Sequence, residues 1–254
     1  MPASVIPVKG LYLGFVGNIS NEGYSLRTAR QVNPSDSDNV AFGETFVLNT
    51  NNTYSSVKQF LANGAGVISS STPIGIAVSN VNINPTYNTA GTDDVLTPGG
   101  VYLPGSIMDG LVQGTINVSC NNGTPTAGGP VYIRTALNGA IPAGVVGGLE
   151  AQADPNPVTT ATLTTTSGSA TATVSSGTGI VAGMTISATG VVPGTFVKAI
   201  VGTTVTLSQA ATASEATEAA TFSATILYPN FAWKTGYLET DLTAQVTILA
   251  RMIA

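Results

Sequence analysis

Gly114-Thr115-Ile116-Asn117-Val118-Ser119-Cys120 alternates polar and apolar residues along its length. Successive side chains of a strand point to opposite faces, so Ile116, Val118 and Cys120 share one face. The stretch therefore predicts a half-buried β-strand, and the sequence on either side extends that reading. Downstream, Asn121 to Pro130 forms a turn into Val131-Tyr132-Ile133-Arg134, and Asn138-Gly139 is a hairpin-type turn. Upstream, Val101–Leu103 precedes a Pro104-Gly105 turn, and Ile74-Gly75-Ile76-Ala77-Val78 is an apolar run of strand length. Ser55–Ala62 is the one plausible short helix of this half. Val40–Leu48 reads as a strand pair or a bulged strand, followed by a loop from Asn49 to Thr53. Residues 1–24 read as an extended arm, with Gly10, Gly14, Gly17 and Gly23 opposing any helix.

Composition agrees with β structure. The 254 residues include 36 Thr, 29 Gly and 14 Pro. Threonine suits a pleated, half-exposed surface, while Gly and Pro supply turns. Eight Lys+Arg and thirteen Asp+Glu make 8% charged residues, where an average domain carries roughly 25%. Solvent-facing surfaces are thus polar but uncharged, and such surfaces dock against protein with little charge to desolvate.

Composition shifts after Pro155. Residues 156–224 contain three charged side chains, Lys198, Glu215 and Glu218, and two aromatic ones, Phe196 and Phe222. Four or five short strands are expected there: Ala170–Val174, Met184–Ala188, Thr195–Val201, Thr203–Ser208 and Thr221–Thr225. The segment reads as a small inserted β module. Beyond it, Thr243–Arg251 is a long alternating strand that must pair inside a sheet, with the half preceding the insert. The host domain is then discontinuous, 1–155 plus 225–254.

The same counts exclude chemistry. With no histidine there is no imidazole base for a Ser-His-Asp or Cys-His system. Cys120 alone can form neither an internal disulfide nor a four-ligand zinc site, and its place on an apolar face marks it as a core residue. A net charge of −5 with scattered basic residues is not the footprint of a nucleic-acid binder. No apolar run reaches the roughly 18 residues of a membrane span, and the first 20 residues read poorly as a secretion signal. Asp36-Ser37-Asp38-Asn39 has the oxygen density of a calcium loop but lacks its mid-loop glycine and terminal glutamate. Asp93-Asp94, adjacent in a loop, would face opposite ways if extended. No metal or cofactor is expected.

Several segments in order carry a resemblance: Gly14-Phe15-Val16-Gly17-Asn18-Ile19-Ser20, Arg27 to Arg30, Val40-Ala41-Phe42-Gly43-Glu44, Ile74–Val78, Leu111–Val118, Gly129-Pro130-Val131-Tyr132-Ile133, and Phe231-x-Trp233-x-Thr235-Gly236. The chain resembles the structural cement (capsid decoration) proteins of tailed bacteriophages over residues 1–155 and 225–254. The resemblance implies an all-β fold, a jelly-roll-like sandwich or barrel body, with residues 156–224 as an insert of the Thr/Gly-rich kind found in phage structural proteins. It implies a non-enzymatic virion protein, assembled in the host cytoplasm, that binds the outer surface of the head and bridges neighbouring major capsid subunits. The expected partners are the major capsid protein and the chain itself, as a homo-dimer or homo-trimer, with no nucleic acid and no membrane. Leu11, Tyr12, Phe15 and Tyr24 are the expected capsid contacts, and Trp233 and Phe231 the core or oligomer anchors. A virion or cell-surface adhesin, its insert binding host glycan, is the alternative. A glycan hydrolase would need two acids converging in one cleft, and the acids here are scattered.

Overall fold

The structure, a computed structural model, describes residues 16–19, 24–64, 66–69, 71–79, 100–138, 145–236 and 243–249. Its first half contains β1 (Leu26–Gln31), β2 (Val40–Ala41), β3 (Thr45–Leu48), β4 (Tyr54–Ser56), α1 (Val57–Asn63), β5 (Ile74–Ala77) and β6 (Val101–Tyr102). Then come β7 (Ile107–Ser119), β8 (Pro130–Arg134) and β9 (Leu149–Glu150). Residues 158–223 supply β10 (Val158–Thr165), β11 (Thr171–Val174), β12 (Thr185–Ser187), β13 (Val197–Val201), β14 (Thr204–Leu207) and β15 (Glu215–Ser223). The last strands are β16 (Thr225–Trp233) and β17 (Thr243–Ile248).

The alternating stretch at 114–120 is the second half of β7, a strand of 13 residues. Ile116, Val118 and Cys120 are buried in one core cluster, on the face their spacing predicts. The first half of β7 shows no alternation because it places apolar residues on both faces, Met108 in one cluster and Leu111 in another. β7 also joins two groups of strands. Its first half pairs with β1 and β5, and its second half with β17, from Ile248↔Gly114 to Thr243↔Ser119. Gly114, at φ +126°, marks the change of partner, where a Cβ would lie 3.0 Å from the Ser25 Cα. Only glycine fits that corner.

The largest sheet runs β4-β3-β5-β7-β17-β16-β8-β9, with β1 added to β7. Its ends curl back. Tyr54 of β4 meets Val32 beyond β1 in a parallel bridge, and Leu149 of β9 meets Cys120 beyond β7 in another. The sheets thus form half-barrels, and the fold is an all-β sandwich or barrel. One core cluster fills the space between β5, β7, β8, β16 and β17. A smaller one gathers Phe46, Tyr54, Tyr102 and Met108. Phe46 fills a slot with no room to spare, since a Cβ at Gly110 would lie 2.3 Å from its Cζ.

The segment 40–48 holds two strands, as one of its two readings had it, but they do not pair with each other. β2 pairs with β6, and after a turn β3 pairs with β4 and β5. The helix forms one to two residues later than the spacing suggests. The Ser56 hydroxyl accepts the Gln59 N–H at 3.0 Å, and Gly64 closes the other end at φ +65°, donating to the Leu61 carbonyl at 3.0 Å. Ser56→Ala is expected to cost about 1 kcal/mol, measured as a shift in denaturant midpoint at constant slope.

β10 to β15 form a six-stranded antiparallel sheet in the order β12-β15-β10-β11-β14-β13. Its ends meet as well: Thr185 bridges Phe196, and the Val197 N–H donates to the Met184 carbonyl at 2.8 Å. The interior holds Leu163, Met184, Ile186, Val205, Leu207 and Phe222. β10 was hard to foresee because Leu163 is the largest apolar residue in a run otherwise made of Thr, Ala and Val. The expected strand at 221–225 is really a junction, with β15 ending at Ser223 and β16 starting at Thr225.

Two sets of contacts fasten this sheet to the rest of the chain. At its root, the Asp154 carboxylate accepts the Ala224 N–H at 2.7 Å, and the Ala224 carbonyl accepts the Thr135 N–H at 2.8 Å. On another side, the Ile68 N–H donates to the Gly194 carbonyl at 3.0 Å, and the rings of Phe60 and Phe196 lie 6.4 Å apart.

Candidate functional site

Charge is sparse, and two ion pairs join described residues to each other. Arg134 holds Glu150 in a two-pronged contact, Nε to Oε1 and Nη2 to Oε2, the latter at 2.8 Å. Both side chains are buried, and the Asn122 amide adds a bond to Oε2 at 3.3 Å. Arg134 Nη1 also donates to the Ala136 carbonyl at 3.2 Å, where the chain leaves for the six-stranded sheet. The group thus braces β8 and β9. Lys58 pairs with Asp38 at 2.8 Å on the surface.

The 36–39 loop is organised by a side chain. Gln59 Oε1 accepts from the Ser37 N–H, the Ser37 hydroxyl and the Asp38 N–H at 3.1–3.2 Å. Asp36 is buried, and loss of solvent raises its carboxyl above the ordinary range despite bonds from Ser55 and Asn33. Among the described residues no three acids, cysteines or histidines gather as a metal site. Burial likewise pushes the Cys120 thiol up, so it is a poor nucleophile. Asp93-Asp94 and Gly139 lie outside the described residues. A shallow hollow of about 270 Å³ beside β12 is lined by Ile186, Val191, Pro193, Ile226 and hydroxyl-bearing neighbours, without a titratable group.

What the surface offers is docking area. Of the expected contact residues, Tyr24 is 73% exposed, while Leu11, Tyr12 and Phe15 lie outside the described residues. Trp233 and Phe231 are buried in the main core, at 1% and 2% exposure, and so lie inside the fold within a single chain. Tyr228 stacks edge-on against Phe231 at 4.7 Å and donates its hydroxyl to the Thr72 carbonyl at 2.7 Å. Spacing did not single out the turn between β6 and β7, where Val101, Leu103 and Ile107 are exposed apolar side chains. A run of such residues flanking Pro104-Gly105 is the signal that marks it. No helix among the described residues is long and apolar enough to cross a membrane.

The outward faces of the six-stranded sheet are lined with threonine. Thr171 and Thr173 of β11 stand opposite Thr206 and Thr204 of β14. The two aromatic side chains of residues 156–224, Phe196 and Phe222, are fully buried.

Among curated proteins no match is found. The family model of the phage structural cement protein (E217 gp24/Pam3 gp6) matches residues 9–178, about two thirds of the chain, running through β1 to β9 and into β10 and β11. The chain belongs to the phage structural cement protein family.

Proposed function

We propose that this chain binds the outer surface of a phage head and bridges neighbouring major capsid subunits as a homo-dimer or homo-trimer, reaching the particle in the host cytoplasm. Membership of the cement family carries the reading. A protein that binds only the assembled shell stabilises it by mass action, by about 2.7 kcal/mol per site at a hundred times its dissociation constant. The body, jelly-roll-like in this reading, and the end strands 225–254 make one discontinuous unit, with 156–224 an outward module and residues 1–24 an arm laid on a neighbour. Leu11, Tyr12, Phe15 and Tyr24 are the proposed arm contacts. Trp233 and Phe231 act from inside, holding the body rigid for oligomer contacts. The glycan-binding alternative asks for an exposed aromatic platform, and the buried Phe196 and Phe222 do not supply one.

The test is to rebuild shells lacking the protein. Added back, the full chain is expected to occupy hundreds of sites per particle and to raise the temperature of DNA release. Deleting Met1–Gly10 is expected to lower occupancy. A dozen copies or fewer, or no binding to shells, defeats the reading, and unchanged occupancy after the deletion removes the arm from it.

A further inference from the structure

The fold closes most of its strand edges. β4 and β9, the ends of the large sheet, are met by Val32 and Cys120, and the six-stranded sheet meets itself at Thr185 and Phe196. β1 is different. Its six residues pair with β7 along one side; on the other, β4 meets only the far end, where the Asn33 N–H donates to the Tyr54 carbonyl at 2.8 Å, and among the described residues no strand pairs with residues 26–30. In antiparallel pairing about half of a strand's N–H and C=O groups point away from the partner, so β1 presents an open row of donors and acceptors.

This edge carries charge of one sign. β1 reads Leu26-Arg27-Thr28-Ala29-Arg30-Gln31, two guanidinium groups and no acid, in a chain of net charge −5. The ion pairs among the described residues are Lys58–Asp38 and Arg134–Glu150, so neither arginine of β1 has a carboxylate partner there. Arg27 is exposed. Arg30 is half-buried, donates through Nη1 to the Asn52 side chain, and keeps a buried Nε with no acceptor. Asp109 stands opposite Ala29 on β7. Apolar footholds lie at both ends of β1: Tyr24, 73% exposed, precedes it, and Ile107, 55% exposed, sits opposite Gln31.

We propose that the open edge of β1 is a strand-addition site that takes an extended, acidic segment of the shell protein, the backbone ladder binding it and Arg27 and Arg30 selecting it. The proposal rests on the shell-binding reading. The positive charge argues for an acidic occupant and against a second copy of β1, which would bring two more arginines and no acid to the same edge. Because Arg27 and Arg30 are three residues apart they project to opposite faces, so the incoming strand meets them with carboxylates an odd number of residues apart.

The test measures binding of the full chain to shells that lack it. Arg27 is exposed, so its substitution leaves the core intact, and thermal melts of each variant confirm the fold. Arg27→Glu is expected to weaken shell binding about tenfold or more, as loss of a complementary charge at an interface does. Arg27→Lys is expected to stay within about threefold of wild type, since it keeps the charge. Thr171→Glu places a glutamate on the outer face of β11, changing the net charge by −1 where Arg27→Glu changes it by −2, and is expected to leave binding unchanged. Rising salt is expected to weaken the wild type more than Arg27→Glu. Wild-type affinity for Arg27→Glu, or an equal loss for Thr171→Glu, overturns the proposal while leaving shell binding intact. So does a change in the solution mass of Arg27→Glu with normal shell binding, which would assign the edge to copy–copy contact. Failure of the wild type to bind shells overturns both readings together.

Discussion

Glu150→Ala is expected to destabilise the chain by about 3–5 kcal/mol, the largest loss of any single carboxylate substitution here. The reason is what it leaves behind. Arg134 is fully buried, and its Nε and Nη2 both donate to Glu150. With that carboxylate gone, the guanidinium keeps one bond, to the Ala136 carbonyl, and faces a core that includes Ile133 and Leu149. A buried, uncompensated charge costs far more than the pair ever contributed. The melting temperature should fall by about 10 °C. The double substitution Arg134→Met with Glu150→Leu should recover most of the loss, because removing both charges also removes their desolvation penalty. Equal destabilisation by the single and double variants would sink the argument. Ala136 follows directly on the brace, and its N–H and that of Thr135 both reach the Ala224 carbonyl. Amide exchange at Thr135 and Ala224 should therefore quicken in Glu150→Ala before the whole chain unfolds.

The brace shows why some of the fold could be read from the sequence and some could not. Where a strand has one wet face, its alternation is visible. The strand ending in Val246 and Ile248, between β7 and β16, was legible for that reason, whereas Ile116, Val118 and Cys120 were legible because the opposite face, though buried, is polar, Thr115 bonding Thr247 and Asn117 bonding Gln245. Where apolar residues serve both faces, the period disappears, as in β3, buried at all four positions, and in the first half of β7, where Met108 and Leu111 belong to different clusters. In β10, threonine occupies inward and outward positions alike, as Thr165 is buried and Thr164 exposed, so residue type no longer reports the face. Arg134 and Glu150 are 16 residues apart, and nothing local in the sequence pairs them. The interaction surface was the least legible part. Arginines 27 and 30 stood within a recognisable segment, but their meaning depends on β1 having an open edge, which is a property of the whole sheet.

Glu44 should make the protein more stable at mildly acidic pH than at pH 8. It sits in the turn between β2 and β3, where its Oε2 accepts the Ala41 N–H at 2.7 Å and its backbone carbonyl accepts the Ala77 N–H at 2.9 Å. A Cβ on Gly147 would come within 3.4 Å of its Oε1, so the carboxyl is walled in. Burial pushes its pKa from 4.5 up to about 7, against the opposing Ala41 hydrogen bond and the Lys58 charge, with Asp38 adding a small upward push. Lys58 is already bonded to Asp38, which blunts its help. Below pH 4.5 the carboxyl is protonated in both folded and unfolded chains. Between 4.5 and 7 the folded chain keeps a proton that the unfolded chain releases, so stability declines as pH rises through that window. Above 7 the loss is constant, at most about 3 kcal/mol. Glu44→Gln keeps an oxygen for the Ala41 N–H and removes the charge. Its unfolding free energy should match the wild type near pH 4.5 and exceed it increasingly up to pH 7, measured by denaturant midpoints across the range. Parallel pH curves for the two proteins would show that Glu44 ionises without penalty. The neighbouring Gly43 packs on Val16 and donates to the Ala77 carbonyl at 2.8 Å, and the Gly17 carbonyl accepts the Ser79 N–H at 2.8 Å. Charging Glu44 therefore strains the seat of the chain's first described residues, and amide exchange at Gly43 and Ser79 should quicken between pH 5 and pH 8 in the wild type and not in Glu44→Gln, once intrinsic exchange rates are divided out.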